Sequence, residues 1–283
     1  MNFYLVALFY VLTCKSSFCA NKSTTLTPLN AQSSSIAANA SSSTIIVKQR
    51  PGCIAIGWSG VIYRVDDSHV VKHPKCFPGH PTYNEQYRDL ITLEKNIYER
   101  LGDHKGIIKY HGIADVKTGA IRLAFAKHGD LSTYIRSHCM PSQPFRNGWI
   151  QQLVETFYHI YCRKVLHQDI KPNNILVDDD CLKAIDFANG ALFPLHANME
   201  ATCADDPLSR VDLLCLGCII YSIATWQVFI YDYFEKNRWP MLEELPPTSG
   251  ILCGDIIKKC WDDKYNTIAS LYEDVTALLE QGR

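Results

Sequence analysis

The chain has 283 residues and a mass of 32.1 kDa, which is enough for one large domain or two small ones. Its 28 lysines and arginines against 29 aspartates and glutamates leave a formal charge of −1, which excludes a strongly basic nucleic-acid binder and an acidic solvating chain. Hydrophobic residues make up 47% of the chain, so a sizeable core can form. No apolar run reaches the roughly 18 residues of a membrane span, so we expect a folded protein without a transmembrane span.

The first 45 residues differ in composition from the rest of the chain. Residues 3–12 are an unbroken apolar stretch of the length found in signal peptides, but no lysine or arginine precedes it. Residues 1–20 are therefore interpreted as a possible signal-like segment, against the alternative of a mis-started N-terminus. Residues 21–45 are rich in Ser, Thr, Ala and Asn and have almost no large apolar side chains, which predicts a flexible tail.

The twelve cysteines are scattered and do not show the paired spacing of zinc sites. Cys162, Cys215, Cys218 and Cys260 lie inside apolar, helix-like runs, where a free cysteine behaves as a small hydrophobic residue. Unpaired cysteines favour a reducing, cytoplasmic compartment, whereas the signal-like start favours secretory entry. The sequence therefore leaves the cellular location open.

Short β-branched runs separated by glycine and aspartate turn signals follow the tail, and they predict strands. These predicted strands cover residues 45–47, 53–56, 61–65 and 69–71. An apolar pattern of helical period then predicts one helix over residues 84–101, before strand-like runs return at 107–110 and 121–125. The first half of the folded part is therefore expected to be a sheet with a single helix.

Beyond Gly129 the apolar pattern is mainly helical. The predicted helices cover residues 149–165, 211–225, 254–260 and 268–279. Two short runs, at 175–177 and 182–185, flank an aspartate-rich turn and predict a hairpin. Strands first and helices later indicate an α+β fold of two lobes with a cleft between them.

Two features of the strand-rich half are suited to a charged ligand. Gly57 and Gly60 stand in a strand–turn–strand setting, where backbone N–H groups can approach a phosphate closely, although most such pairs are ordinary turns. Lys72 ends an apolar strand, and Glu94 falls on the apolar face of the predicted helix. Because an unpaired buried carboxylate is strongly unfavourable, Glu94 is predicted to pair with Lys72.

The segment 167–174 is the strongest signal in the chain. Most of its residues are polar or charged, yet an apolar helix precedes it and an apolar strand follows it. Asp169 is suited to accept a proton, Lys171 to neutralise developing negative charge, and Asn174 to bind a cation through its amide oxygen. Asp186 follows a further apolar run, and carboxylate and amide oxygens are the hard ligands that suit Mg²⁺ held with phosphates.

In their order and context, these motifs resemble the eukaryotic protein kinase superfamily. The resemblance runs from about residue 50 to 275. Within the family, the sequence is similar to small divergent Ser/Thr kinase domains common in filamentous fungi. Asp212 and Gly217 match the long buried helix of the helical lobe, and Cys260-Trp261 match its late helix. The family implies a bilobal kinase fold over residues 46–283, with lobes at 46–126 and 127–283.

The resemblance implies ATP as the nucleotide and a set of residues that surround it. Leu123 falls at the gatekeeper position, and the backbone of the following three residues would bind the adenine edge. The residues expected to contact the nucleotide are Gly57, Gly60, Ile62, Val70, Lys72, Ala124, Phe125, Ala126 and Leu176.

The family also implies the residues that carry out phosphoryl transfer with Mg²⁺. Lys72 would hold the α- and β-phosphates and pair with Glu94. The remaining implied roles are Asp169 as catalytic base, Lys171 as a γ-phosphate contact typical of Ser/Thr kinases, and Asn174 and Asp186 as Mg²⁺ ligands.

Four departures from the family pattern concern regulation and substrate docking more than chemistry. Ala55 replaces the first loop glycine, and Ala188 replaces the glycine two residues after Asp186. Gln168 replaces the arginine that usually binds an activation-segment phosphate, so control by that phosphorylation is not expected. No Ala-Pro-Glu stands between Asp186 and Asp212, which predicts altered docking of a peptide substrate.

The leading hypothesis is an ATP-dependent protein kinase that phosphorylates Ser or Thr of protein substrates. The first alternative is a pseudokinase that binds ATP and acts as a scaffold, which the altered control motifs favour. A small-molecule phosphotransferase of kinase-like fold is a second alternative, although Lys171 and Cys260-Trp261 favour a protein kinase. A third and weaker alternative, a secreted interaction domain, is suggested by residues 1–20 alone.

Overall fold

The computed structural model of the protein describes residues 52–281, and these residues form nine strands and eight α-helices. The signal-like segment, the Ser/Thr-rich tail and the strand predicted at 45–47 lie outside the described residues. The fold is α+β, with a strand-rich first part and a mainly helical second part, as the sequence predicts. The boundary predicted between residues 126 and 127 falls shortly after the last strand of the first part.

An antiparallel five-stranded sheet in the order β1-β2-β3-β5-β4 forms the first part. Its strands are β1 (Cys53–Ile56), β2 (Gly60–Arg64), β3 (His69–Pro74), β4 (Tyr110–Asp115) and β5 (Ala120–Ala124). The single helix, α1 (Pro81–Leu101), lies between β3 and β4 in the chain. It begins three residues before the predicted start, because proline is well tolerated in the first helical turn, where its missing N–H would have no partner.

The strand predicted at residues 107–110 is wrong. Ile107 and Ile108 are buried, but they lie in a loop, and Ile107 makes only an isolated bridge to Ala184. The strand begins at Tyr110 and continues to Asp115. An apolar run that packs inward from a loop has the same composition as a short buried strand, so periodicity alone does not separate the two.

The second part is built mainly of helices. They are α2 (Leu131–Ser137), α3 (Gln143–Cys162), α4 (Met199–Asp205), α5 (Val211–Thr225), α6 (Tyr233–Lys236), α7 (Gly254–Trp261) and α8 (Ile268–Gln281). Two small antiparallel pairs accompany them: β6 (Val165–Leu166) with β9 (Ala191–Leu192), and the predicted hairpin β7 (Ile175–Asp178) with β8 (Cys181–Ala184). Helix α3 ends before the predicted residue 165, since Lys164 adopts a left-handed φ of 62° and Val165 enters β6.

Helix α5 is the centre of the helical part. Leu213, Leu214, Ile219 and Ile220 are all buried, and a methyl group on Gly217 would lie 2.6 Å from the Cβ atom of Cys260 in α7. Residues 208–225 are the one described helical segment that is long and apolar enough to cross a membrane, and 83% of this window is buried inside the protein. The window reaches 18 residues only by including Arg210 and Asp212, and burial of this extent is typical of a core helix.

The ten cysteines in the described part of the chain are free thiols. Cys218 and Cys260 are buried, as their apolar contexts predict, and Cys215 is half-buried. Cys162 is exposed instead, because it occupies the last position of α3 and lies off the packed face of that helix. Burial raises the pKa of the Cys218 thiol to about 12, which keeps it protonated and unreactive.

Candidate active site

One face of the five-stranded sheet carries several residues predicted to surround a nucleotide. Ile62 lies opposite Lys72, and Val70 lies opposite Leu123, in the pairing of β2, β3 and β5. Side chains directly opposite each other share a face of the sheet, as do residues two apart on one strand. Ile62, Val70, Lys72 and Leu123 therefore lie on one surface, and Lys72 is only 3% exposed within it.

The turn between β1 and β2 contains the two predicted glycines, and their structural roles differ. A methyl group on Gly60 would lie 2.5 Å from the carbonyl oxygen of His73, so only glycine lets β2 approach β3 at this point. The nearest atom to a methyl group on Gly57 would be 3.7 Å away. The Gly57 N–H donates to the Gly60 carbonyl at 2.9 Å and closes the turn. Packing therefore requires glycine at position 60 and leaves space beside position 57.

A buried ion-pair network joins strand β3, helix α1 and the loop after β8. The Nζ atom of Lys72 lies 2.6 Å from Glu94 Oε2 and 2.6 Å from Asp186 Oδ1. Glu94 is 0% exposed on the apolar face of α1, so its charge requires a buried cation. The fold thus brings together residues that are up to 114 positions apart in the chain.

Burial and mutual attraction set the protonation of this network. Burial lowers the pKa of Lys72, but the Asp186 and Glu94 carboxylates outweigh it, so the pKa of Lys72 is raised overall. Burial raises the pKa of Glu94 to about 7, against the opposing attraction of Lys72. Burial also acts to raise the pKa of Asp186, but the Lys72 charge prevails and the pKa is lowered. Asp186 is therefore ionised and Lys72 is charged at neutral pH.

Asp169 lies at the centre of a hydrogen-bonded group in the loop between β6 and β7. Its carboxylate accepts hydrogen bonds from Lys171 Nζ at 2.9 and 3.0 Å and from Asn174 Nδ2 at 3.1 Å. Asn174 Nδ2 also donates to the Asp169 carbonyl at 2.8 Å, so both of its N–H groups are used and its oxygen remains for another partner. Asn189 Nδ2, which the sequence analysis did not single out, donates to the same carboxylate at 3.3 Å.

Asp212, in the first turn of helix α5, fixes the backbone of this loop. The two carboxylate oxygens of Asp212 accept the backbone N–H groups of His167 at 2.6 Å and Gln168 at 2.7 Å. Asp212 is 1% exposed, and its burial raises its pKa despite these bonds. Gln168 adopts a left-handed φ of 62°, a conformation that costs a non-glycine residue energy and is maintained here by the paired N–H groups. The backbone before Asp169 is thereby fixed.

The strand β5 leads into the three residues expected to contact an adenine ring. The Ala124 N–H donates to the Lys109 carbonyl at 2.9 Å, and the Phe125 N–H donates to the Ser68 carbonyl at 2.8 Å. Ala126 is 6% exposed, and its N–H has no hydrogen-bond partner among the described residues. A buried N–H without a partner is unfavourable unless a ligand or water accepts it. Adenine nitrogens are acceptors of this kind, so this segment fits a purine base.

The oxygen atoms near Asp169 fit a divalent cation that also binds phosphates. Within residues 52–281 no group of three or more His, Cys, Asp or Glu side chains is arranged to hold a metal alone. Asp186 and Asn174 supply one carboxylate and one amide oxygen, and Mg²⁺ commonly takes one or two such ligands and completes its shell with phosphates and water.

Leu176, the other residue predicted to contact the base, lies on β7 and forms an isolated backbone bridge to Asp130.

Comparison with known proteins gives one family match and several partial relatives. The family profile described as protein kinase domain matches residues 56–281. The Serine/threonine-protein kinase PKH3 of Eremothecium gossypii is 31% identical over 171 residues, which cover 56% of this chain and 23% of that protein. The putative 3-phosphoinositide-dependent protein kinase 2 of Homo sapiens is 25% identical over 150 residues, covering 47% of this chain and 38% of that protein.

An Aurora kinase of Candida glabrata is 25% identical over 167 residues, covering 54% of this chain and 46% of that protein. The matches therefore span less than half the length of each of these curated relatives. The family profile, in contrast, covers nearly the whole sheet, the loop between β6 and β7 that contains Asp169, and the whole helical part. On that match, this chain belongs to the protein kinase domain family.

Proposed function

We propose that this chain transfers the γ-phosphoryl group of Mg-ATP to Ser or Thr hydroxyl groups of protein substrates. The observation that carries the proposal is the Lys72 ammonium, which contacts both Glu94 and Asp186 at 2.6 Å beneath the nucleotide-facing sheet. A cation bridging a helix and a metal-binding carboxylate is the arrangement that kinases use to position phosphates. The similarity to the Serine/threonine-protein kinase PKH3 supports the choice of hydroxyl acceptor.

In this proposal each polar side chain has one task. Asp169 accepts the hydroxyl proton while the substrate oxygen attacks the γ-phosphorus, and the bond to the β–γ bridging oxygen breaks to release ADP. Lys171, which already contacts Asp169 at 2.9 Å, neutralises charge on the transferred group. Lys72 holds the remaining phosphates. Mg²⁺, bound by Asn174 and Asp186 together with the phosphates, would supply further charge neutralisation.

A pseudokinase scaffold is the second candidate, and a specific observation favours it. Ala188 replaces the usual glycine two residues after Asp186. Its side chain is buried at 1% exposure, which restricts movement of this turn. Such a chain would bind Mg-ATP through the same residues without turning it over. A ligand present at a hundred times its Kd would still stabilise the folded state by about 2.7 kcal/mol.

The test is Mg²⁺-dependent transfer from γ-labelled ATP by the full chain, with generic protein acceptors and hydrolysis of the product to identify the labelled amino acid. Asp169→Ala is the decisive variant, and Asp255→Ala, which removes an exposed aspartate from the first turn of α7, is the matched control. We expect phosphoserine or phosphothreonine with the wild type and the control, and a loss of about 10²–10⁴ in rate with Asp169→Ala.

Undiminished labelling by Asp169→Ala would contradict the assignment of the base. No label with any protein, while Mg-ATP still raises the melting temperature of the wild type, would establish the scaffold instead. Label on a small molecule but on no protein acceptor would favour the phosphotransferase alternative.

A further inference from the structure

The chain segment between the turn that follows Asp186 and helix α5 lacks the motif that usually fixes it in kinases, yet several hydrogen bonds join its residues. This connecting segment (residues 190–210) contains β9, α4 and a short 3₁₀ helix, Pro207–Arg210. The Asp206 side chain accepts the Leu208 N–H at 2.9 Å, and Ser209 Oγ donates to the Asp206 carbonyl at 2.6 Å. These hydrogen bonds within the segment fix the backbone before α5.

Arg210 makes the contacts that tie this segment to the rest of the helical part. Its Nε and Nη2 atoms donate to the two carboxylate oxygens of Asp263 at 2.8 and 3.0 Å. Its Nη1 atom donates to the carbonyl of Cys203 at 2.7 Å. This fork geometry is specific to arginine, since lysine cannot make two parallel bonds to one carboxylate. One side chain thus joins α4 to the loop between α7 and α8.

The carbonyl that Arg210 binds has no other means of being satisfied within α4. Cys203 lies in the last turn of that helix, and residue 207, four positions later, is a proline without an N–H group. Cys203 is 2% exposed, so water does not replace the missing donor. The guanidinium group therefore supplies the hydrogen bond that the helix itself cannot form, and it does so where the helix dipole favours a cation.

The segment is also attached to the loop between β6 and β7, which contains Asp169. Gln168 Nε2 donates to the Leu208 carbonyl at 3.3 Å, and Gln168 is adjacent to Asp169. Gln168 stands where many kinases have an arginine that binds a phosphate. In this chain the neutral amide binds a backbone carbonyl directly, so the loop and the segment meet without a phosphate group between them.

We propose that Arg210 is a positioning residue that holds the connecting segment in place through Cys203 and Asp263, and so orders the platform for a protein substrate without phosphorylation. The substrate part of this inference rests on the proposed function, whereas the ordering of residues 199–210 does not. If Arg210 only stabilised the whole fold, its substitution would speed hydrogen exchange equally throughout the helical part. If it positions the segment, its substitution should speed hydrogen exchange within the segment alone.

The test is hydrogen exchange of the phosphatase-treated full chain, comparing the wild type with Arg210→Gln. Arg238→Gln is the matched control, because Arg238 makes the same two-pronged contact with Glu244, at 2.7 and 2.9 Å, away from the segment. We expect amides in residues 199–209 to exchange about tenfold faster in Arg210→Gln, because this variant loses one hydrogen bond to a charged group. The exchange rates of the same amides should be unchanged in Arg238→Gln.

Asp263→Asn keeps the proposal testable if Arg210→Gln does not fold. Asp263 adopts a left-handed φ of 53°, which asparagine tolerates well, and this variant leaves the Arg210 bond to Cys203 available. We expect a smaller acceleration of exchange in the same residues. Unchanged exchange of residues 199–209 in both variants, or low protection there in the dephosphorylated wild type, would overturn the proposal.

Steady-state kinetics then separate this inference from the proposed function. If the wild type phosphorylates proteins, Arg210→Gln should raise KM for the protein several-fold and leave KM for ATP unchanged. An equal rise in both would contradict a positioning role on the substrate side. If the wild type transfers no phosphate at all but the exchange data are as expected, the proposed function fails and the ordering role of Arg210 stands.

Discussion

The ion-pair network of Lys72, Glu94 and Asp186 and the connecting segment meet different physical requirements, and they keep the family pattern to different degrees. In the network the three residues are the types that the family uses, and Lys72 and Glu94 are almost fully buried. In the connecting segment the usual residues are replaced, but Arg210 and Gln168 hold the backbone in other ways. Binding and transfer of phosphate groups require charged side chains at fixed positions. A backbone segment can instead be ordered by any side chain that supplies a hydrogen-bond donor or acceptor to it.

The two regions also differ in what their ion pairs contribute to stability. The side chains of Lys72 and Glu94 are 4% and 0% exposed, so removing one partner leaves a buried charge, which costs about 3–5 kcal/mol. The side chains of Arg210 and Asp263 are 15% and 34% exposed. Water screens such a pair, and exposed pairs contribute about 0–1 kcal/mol. The first pair is therefore expected to affect global stability, and the second to affect local order.

The largest expected effect follows from Lys72→Met. This change should abolish the proposed transfer. It also leaves Glu94 and Asp186 without their cation, and we expect a loss of about 3–5 kcal/mol in the free energy of unfolding near pH 8. A carboxyl group whose pKa is raised on folding binds more protons in the folded chain than in the unfolded one, so stability falls as pH rises between the two values. Urea unfolding at pH 5, 7 and 8.5 measures this dependence.

The wild type and Lys72→Met should differ in the pH at which the free energy of unfolding stops falling. The Glu94 pKa rises from its usual 4.5 to about 7 in the wild type, so the Glu94 contribution should level off above about pH 7. Without Lys72 the pKa rises further, and stability should keep falling above pH 7. Lys72→Met combined with Glu94→Gln removes one of the two titrating carboxyl groups and should make this slope smaller, leaving the part due to Asp186, which also loses its cation. Parallel pH profiles for the wild type and Lys72→Met would contradict the burial argument.

Substitution of Gly57 and Gly60 tests whether the turn between β1 and β2 has separate structural and ligand-binding requirements. Gly60→Ala places a methyl group 2.5 Å from the His73 carbonyl, and we expect a loss of about 1–3 kcal/mol in urea unfolding as β2 and β3 separate. Gly57→Ala meets no atom within 3.7 Å and should leave stability nearly unchanged. Calorimetric titration with Mg-ATP should instead show weaker binding by Gly57→Ala if the backbone at Gly57 approaches the phosphates.

Much of the fold could be predicted because its signals are local. The strand Cys53–Ile56 and the helix Val211–Thr225 have the predicted bounds, since β-branched runs and a long apolar helix pattern specify them without tertiary context. The error at residues 107–110 arose where tertiary packing, and not hydrogen bonding, buries apolar residues. Helix α4 was not predicted, because Asn198 caps it through bonds to the Glu200 and Ala201 N–H groups and few apolar residues mark it.

The candidate site could be predicted only as far as the motif residues. Glu94 was identified because a carboxylate on an apolar face requires a cation, and that requirement is visible in the sequence. Asn189 and the Arg210–Asp263 pair were not, since the pair joins residues 53 positions apart and neither has an unusual context. A polar residue in a polar segment gives no signal until the fold brings its partner close.

The smallest expected effect is at Gln168, where the loop that contains Asp169 meets the connecting segment. Gln168→Ala removes the 3.3 Å bond to Leu208 and should cost about 0.5–1.5 kcal/mol in urea unfolding. Gln168→Gly removes the same bond but also relieves the left-handed φ of 62°, which costs a residue with a side chain about 1–2 kcal/mol. The glycine variant should therefore be more stable than the alanine variant, although glycine is usually the less stable of the two. A glycine variant less stable than the alanine one would show that the backbone of this loop is not strained, and that the Asp212 bonds hold it at no conformational cost.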